Sequence, residues 1–390
     1  MLLGVDARCL QDPVLTGVGE YTYQIIKAIN RQRPEVNTAC WISGSKLLSP
    51  SIPATSLRIY RSSLPNKCRN LQQWLNIGWP IDREISSKIG NMDAVWLPNP
   101  SFSFLSGHLP AVLTIHDLSF LHYPEFFSYR GRFWYFPAVI SLLRNLPQDC
   151  AVVTVSRHTA IDVAQKFPNL ADRITVIPPA VGNEYAIVPS SEFVNKMKTD
   201  YKLPQKYLLS VGTIEPRKNY QLVMRAYEQL LKRNPNFEYD LVIAGSWGWR
   251  TRAIRKLLTE FKYPDRIHLL GYVPEEIKPA LYSAARVFLY PSFFEGYGMP
   301  VLEAMATGTP VIASATTSLS EVVGSDGVLV DPWQPNSWVE AIENLCTNNQ
   351  LHAELSRQGR IRAQARSWND VGNDYLKLFT KITVSHAHRN

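Results

Sequence analysis

Cysteine is scarce and unpaired in this chain of 390 residues. There are five, Cys9, Cys40, Cys68, Cys150 and Cys346, an odd number with no Cys-x-x-Cys spacing. That excludes a disulfide framework and a cysteine-based structural zinc site, and it points to a reducing compartment. Long hydrophobic runs are also missing: the longest, FWYFPAVISLL at 133–143, is too short to span a bilayer and contains Pro137. The opening MLLGVDAR has no basic start and carries Asp6, so it is not read as a secretory signal, and a cytoplasmic protein is expected. No Asp-x-Asp occurs, nor a Gly-x-Ser-x-Gly elbow, nor a Walker loop. A divalent-metal diphosphate site of the Asp-x-Asp kind, acyl hydrolysis and P-loop phosphoryl transfer therefore have no support. No metal or cofactor is expected. Without a lysine-rich tail or a recognition-helix pattern, nucleic acid is not an expected partner either.

What is present suits a large α/β protein. The length fits two domains, and 45% apolar against 19% charged residues fits sizeable cores. The formal net charge is +8, and the stretch 36–81 contributes Lys46, Arg58, Arg61, Lys67 and Arg69 with no acid. The same stretch carries Trp41, Tyr60, Trp74 and Trp79. Such a strip can attract an anionic membrane surface or acceptor; it can equally be a solvated face over core aromatics.

Short β-branched runs alternate with amphipathic stretches along the chain. LLGVDA (2–7), AVWLP (94–98), AVLTIHD (111–117), AVVTVS (151–156) and RITVIPPA (173–180) read as strands, and 19–32 reads as a helix. After a polar, irregular stretch at 183–205 a second series begins. Its strands are YLLSVG (207–212), YDLVIAG (239–245), RIHLLG (266–271), ARVFLYPS (285–292), TPVIAS (309–314) and GVLVDP (327–332). The expectation is two Rossmann-like α/β domains, residues 1–183 and 184–366. A final helical segment and tail, 367–390, would cross back to the first domain. In open α/β sheets ligands bind beyond the carboxyl ends of the strands, so a site is expected in the cleft between two such domains.

Three clusters sit just after strands, and a fourth, at 15–23, lies about eight residues beyond one. In FEGYGMPVLEAMATGTPV (294–311) Pro300 suits the start of a helix that Gly308 stops, and Gly296 and Gly298 allow close backbone approach. The N–H groups at the helix start favour negative charge, and Glu303 is placed to accept two hydrogen bonds from a vicinal diol. In VGTIEPRKNY (211–220) Gly212 closes a strand, and Arg217 with Lys218 can clamp a diphosphate. LTGVGEYTY (15–23) enters a helix through Gly17 but fails the Gly-x-Gly-x-x-Gly fingerprint, so it is a glycine loop or a plain helix-entry turn. TIHDLSF (114–120) leaves His116 and Asp117 at a strand end, in a structural or a site-facing role.

Taken in order, Glu295 and Glu303 (E-x7-E), GTIEPRKN, TGVGEYT, HDLSFLHYPEFFS and VSRHTAIDV resemble the retaining GT-B glycosyltransferases of family four. The likeness runs from Asp6 to the last helix. It implies hexose transfer from a nucleoside diphosphate sugar with retained anomeric configuration. By resemblance Glu303 holds the ribose diol. Glu295 lies near the donor hexose with the amides of Gly296, Tyr297, Gly298 and Met299. Arg217 and Lys218 stabilise the departing diphosphate, His116 touches the donor sugar, and Gly17 meets the phosphate or acceptor side. Tyr272 and Val273 meet the base. The first domain binds a glycan or lipid-linked acceptor. UDP-glucose is set ahead of GDP-mannose as donor. A sugar-nucleotide epimerase and a non-catalytic nucleotide-sugar-binding subunit are the alternatives on this scaffold.

Overall fold

The structure is a computed structural model. It describes residues 1–390 apart from 54–55, 63–67, 69–70, 72–79, 101–103, 130, 389–390 and the side chain of Trp134. Lys67, Arg69, Trp74 and Trp79 of the basic strip lie outside the described residues. Two compact units form. Unit 1 comprises Met1–His122, Tyr129–Pro179 and Trp368–Asn390, and unit 2 comprises Tyr123–Ser128 and Ala180–Ser367. The six residues Tyr123–Ser128 leave the first series and join the second unit, which nothing in the strand and helix pattern signals.

Unit 1 is built on a seven-stranded sheet, all of whose pairs are parallel, in the order β3-β2-β1-β4-β5-β6-β7. The strands are β1 (Leu2–Asp6), β2 (Asn37–Ser43), β3 (Arg58–Ser62), β4 (Ala94–Leu97), β5 (Ala111–Ile115), β6 (Cys150–Thr154) and β7 (Ile174–Val176). Strands covered on both faces read as unbroken apolar runs, and every residue of AVLTI in β5 is buried. The sequence reading omitted β2 and β3, which fall in the basic aromatic stretch. Trp41 of β2 is a core residue at 0% exposure and so is not part of any surface strip. The helix Trp368–Ala387 packs on the helix Gly17–Gln32. The contact is close: a Cβ on Gly372 would lie 2.9 Å from Ala28 Cβ. Tyr375 then reaches the sheet, its hydroxyl 2.9 Å from Tyr21 Oη and 2.7 Å from Thr114 Oγ1.

Unit 2 carries a six-stranded sheet, again with every pair parallel, in the order β10-β9-β8-β11-β12-β13. Its strands are β8 (Tyr207–Val211), β9 (Asp240–Ala244), β10 (Ile267–Gly271), β11 (Val287–Tyr290), β12 (Val311–Ser314) and β13 (Val328–Val330). Strand order reverses between β8 and β11, which pair directly through Val287 with Leu208 and Phe288 with Leu209. Connections leave to opposite sides there, and the crevice beyond the carboxyl ends of these two strands is the switch point of the sheet. It receives the 212–218 segment from β8 and the 291–298 segment from β11. No helix among the described residues is long and apolar enough to cross a membrane.

Candidate active site

The switch point of unit 2 is occupied by a buried ion cluster. Glu295, 6% exposed, receives Lys218 Nζ at 2.7 Å on Oε1 and Arg217 Nη1 at 2.9 Å on Oε2. Arg217 Nη2 reaches Glu215 Oε1 at 2.8 Å, and Nη1 donates to the Phe294 carbonyl at 2.9 Å. Lys218 Nζ donates to Tyr290 Oη at 2.6 Å, so two of its three donors are used. Two cations thus face two carboxylates, with Glu215 as buried as Glu295. Arg217 and Lys218 are not an open clamp: both are already engaged with Glu295, and an incoming diphosphate must share or displace that carboxylate. Burial by itself would push the Glu295 carboxyl up; the Arg217 and Lys218 charges overcome it and bring its pKa down to about 2. Glu295 is therefore an anion throughout the neutral range. Burial lowers the Lys218 ammonium, and the Glu295 contact works against that shift.

Secondary contacts fix this elbow. Glu295 N–H donates to Thr317 Oγ1 at 3.1 Å, and Ser318 Oγ donates to the carbonyls of Glu295 and Tyr297 at 2.9 and 3.0 Å. Thr317 sits at φ 50°, an uncommon conformation for a β-branched residue and one that costs about 1–3 kcal/mol. The helix Met299–Ala306 follows, with Pro300 in its first turn and Gly298 as N-cap at φ +104°. At φ +104° an L side chain is strained, and a Cβ on Gly298 would also stand 2.6 Å from Leu319 Cδ2, so this turn favours glycine. Among the described residues no acceptor is found for the N–H groups of Tyr297, Gly298 and Met299. Three unpaired donors at a helix start, in the elbow that Glu295 opens, can receive an anion.

The other expected residues are placed as follows. Gly212 lies at φ +146° beyond β8, its carbonyl accepting from Tyr220 Oη at 2.8 Å. Glu303, one turn into the Met299–Ala306 helix, accepts from Tyr282 Oη at 2.8 Å. Charges at Glu303 and Glu275 act on Lys278, which is also bonded to Glu275. Tyr272, just past β10, is 49% exposed, whereas Val273 is buried in the core and can offer a ligand only its backbone. His116 and Gly17 belong to unit 1. Gly17 opens the Gly17–Gln32 helix behind the Thr16 cap. His116 Nε2 lies 2.8 Å from the Pro98 carbonyl, which can only accept, so Nε2 carries the proton. Burial lowers its pKa and keeps the ring neutral. Nδ1 is then an acceptor, suited to a hydroxyl donor. Asp117 caps the next turn, taking Ser119 N–H at 2.9 Å.

Sequence reasoning missed Glu215, Tyr290, Thr317 and Ser318. An acid between the end of a strand and the Arg217–Lys218 pair, as in GTIEPRKN, was the one available signal, and it points only to Glu215.

Residues 193–362 match the family model described as Glycosyl transferases group 1, and residues 15–184 match that described as Glycosyltransferase Family 4. O-antigen chain mannosyltransferase B of Escherichia coli is 35% identical over 269 residues, covering 69% of this chain and 70% of that protein. Among solved structures, sucrose-phosphate synthase from Thermosynechococcus elongatus superposes with a TM-score of 0.74 at 20% identity, over 98% of this chain and 99% of that one. HepE of Anabaena, solved with UDP and glucose, gives 0.74 at 15% identity over 97% and 99%. With a switch-point site in unit 2 and matches to both halves, the chain belongs to the GT-B glycosyltransferases.

Proposed function

We propose that the protein transfers a mannosyl residue from GDP-mannose to a growing glycan or lipid-linked saccharide in polysaccharide biosynthesis, with retained anomeric configuration and without a metal. The observation that carries this is the Glu295–Lys218–Arg217 cluster, followed two residues along the chain from Glu295 by the three unpaired N–H groups of residues 297–299. The mannosyl assignment, in place of the glucosyl donor favoured from sequence, is supported by the name of the 35% identical relative.

In the reaction the C1–oxygen bond to the diphosphate breaks as an acceptor oxygen bonds to C1 on the same face. The acceptor's proton passes to the departing diphosphate oxygen. Charge grows on the diphosphate, and fixed donors aimed there lower the barrier. The remaining Lys218 N–H and the 297–299 amides supply them. Arg217 holds Glu295 and the Phe294 carbonyl in register, so that the carboxylate faces the cationic sugar carbon as it forms. Glu303 takes the ribose hydroxyls beside Tyr282, and Tyr272 with the Val273 backbone meets the base. His116 Nδ1 accepts from a sugar hydroxyl, and Gly17 opens a helix end on the acceptor side.

The test is a panel of GDP-mannose and UDP-glucose scored for binding, nucleotide release and product configuration by NMR. GDP-mannose should bind, release GDP only with a saccharide acceptor, and give the retained anomer. Turnover without acceptor would make the protein an epimerase or hydrolase. Binding without transfer to any acceptor would leave a sugar-nucleotide-binding subunit. Glu303→Ala should weaken donor binding about tenfold, the loss of one charge-assisted pair of hydrogen bonds; unchanged affinity would remove the ribose role.

A further inference from the structure

We propose that Trp333 and Phe293 form a stacking subsite for a pyranose ring of the acceptor glycan, hung directly from the cation loop; this rests on the glycosyl-transfer reading above. Trp333 follows β13 and is 65% exposed, the indole of a large apolar side chain held in the open. Its ring lies 4.3 Å from that of Phe293 at 31°. Phe293 is backed in turn by Phe126 at 5.6 Å and Tyr123 at 6.4 Å, both near-parallel to it. The result is a run of neighbouring aromatic rings within unit 2 that ends in the exposed Trp333.

Neither ring is a loose surface group. Phe293 N–H donates to the Arg217 carbonyl at 2.9 Å. Asn219 Nδ2 donates to the Pro332 carbonyl at 3.1 Å, and Trp333 N–H is held by Asp331 Oδ1 at 2.8 Å. The Arg217–Lys218–Asn219 loop therefore positions both aromatics as well as the cations, and the platform is continuous with the ion cluster through Phe293, Phe294 and Glu295. An exposed aromatic face edged by polar groups matches the apolar C–H face and hydroxyl rim of a sugar ring. The edge here is Asp331 and Gln334, themselves bonded at 3.1 Å. A carboxylate there suits hydroxyl donors and disfavours anionic lipid headgroups, so the occupant is a neutral saccharide.

The test is calorimetric titration of the full chain with α-mannotriose, maltotriose and cellotriose, and separately with GDP-mannose and UDP-glucose, in wild type, Trp333→Ala and Trp333→Tyr. At least one trisaccharide should bind wild type, lose about tenfold in affinity in Trp333→Ala and recover to within about threefold in Trp333→Tyr. Binding of no trisaccharide, or equal binding by Trp333→Ala, overturns the subsite. A loss confined to the nucleotide sugars overturns the acceptor assignment. If trisaccharide binding follows Trp333 but no nucleotide sugar binds, the saccharide subsite stands and the transfer reading fails. Because the indole is mostly exposed, an unchanged melting temperature separates these outcomes from misfolding.

Discussion

Glu295→Gln separates the electrostatic role of this side chain from its shape. The substitution keeps the volume and the hydrogen-bonding outline but leaves Arg217 and Lys218 facing a neutral amide in a buried site. Held at about 2 in place of the ordinary 4.5, the wild-type carboxylate contributes about 3 kcal/mol to the folded state at neutral pH. Removing one partner of a buried ion pair costs a similar amount, about 3–5 kcal/mol. The folded-state value lies below the unfolded one. The contribution is thus complete above pH 4.5 and is lost as the pH falls toward 2. Two units need not unfold together, so the assay is amide hydrogen exchange by mass spectrometry on the 207–219 and 287–306 segments, from pH 7 to pH 3. At pH 7 these segments should open about a hundredfold more readily in Glu295→Gln than in wild type, as about 3 kcal/mol requires, with the gap narrowing below pH 4.5. A gap that is absent, or that stays constant down to pH 3, would refute the assignment of Glu295 as a buried anion held by two cations.

Gly298→Ala should cost about 2 kcal/mol in thermal unfolding and weaken donor binding, because a side chain there meets both an unfavourable φ and Leu319; a neutral substitution would mean the elbow relaxes freely. The His116 imidazole should stay neutral down through its ordinary 6.5, since burial lowers its pKa; burial lowers His158 and His352 as well, so the histidine NMR titration needs the His116 resonance assigned, for instance by its loss in His116→Gln, and that ring should protonate only below 6.5. Membrane contact through the basic strip predicts association with anionic liposomes at low salt that Arg58→Gln with Arg61→Gln reduces; absence of association in wild type would end it.

Much of the architecture is legible in the chain because buried parallel strands are written as local apolar runs. AVLTI at β5 and VFLY at β11 need no partner to be recognised. β3, RIYRS, is an edge strand with three of its five residues exposed, and its pattern carries no such signal. The elbow at Gly298–Pro300 and the stop at Gly308 are local backbone constraints, so sequence alone places them too. What the sequence could not decide is which charges meet. Glu295 lies 77 residues from Lys218, and only the direct pairing of β8 with β11 turns a strip of expected donor ligands into a closed ion cluster. The same holds for Trp333, which reads as an ordinary residue after β13 until Asn219 and Phe293 fix it beside that cluster. Helix starts, turns and strand runs follow from residues a few positions apart. Charge compensation and exposed aromatic surfaces depend on distances across the chain, and those exist only once the sheet has set its strand order.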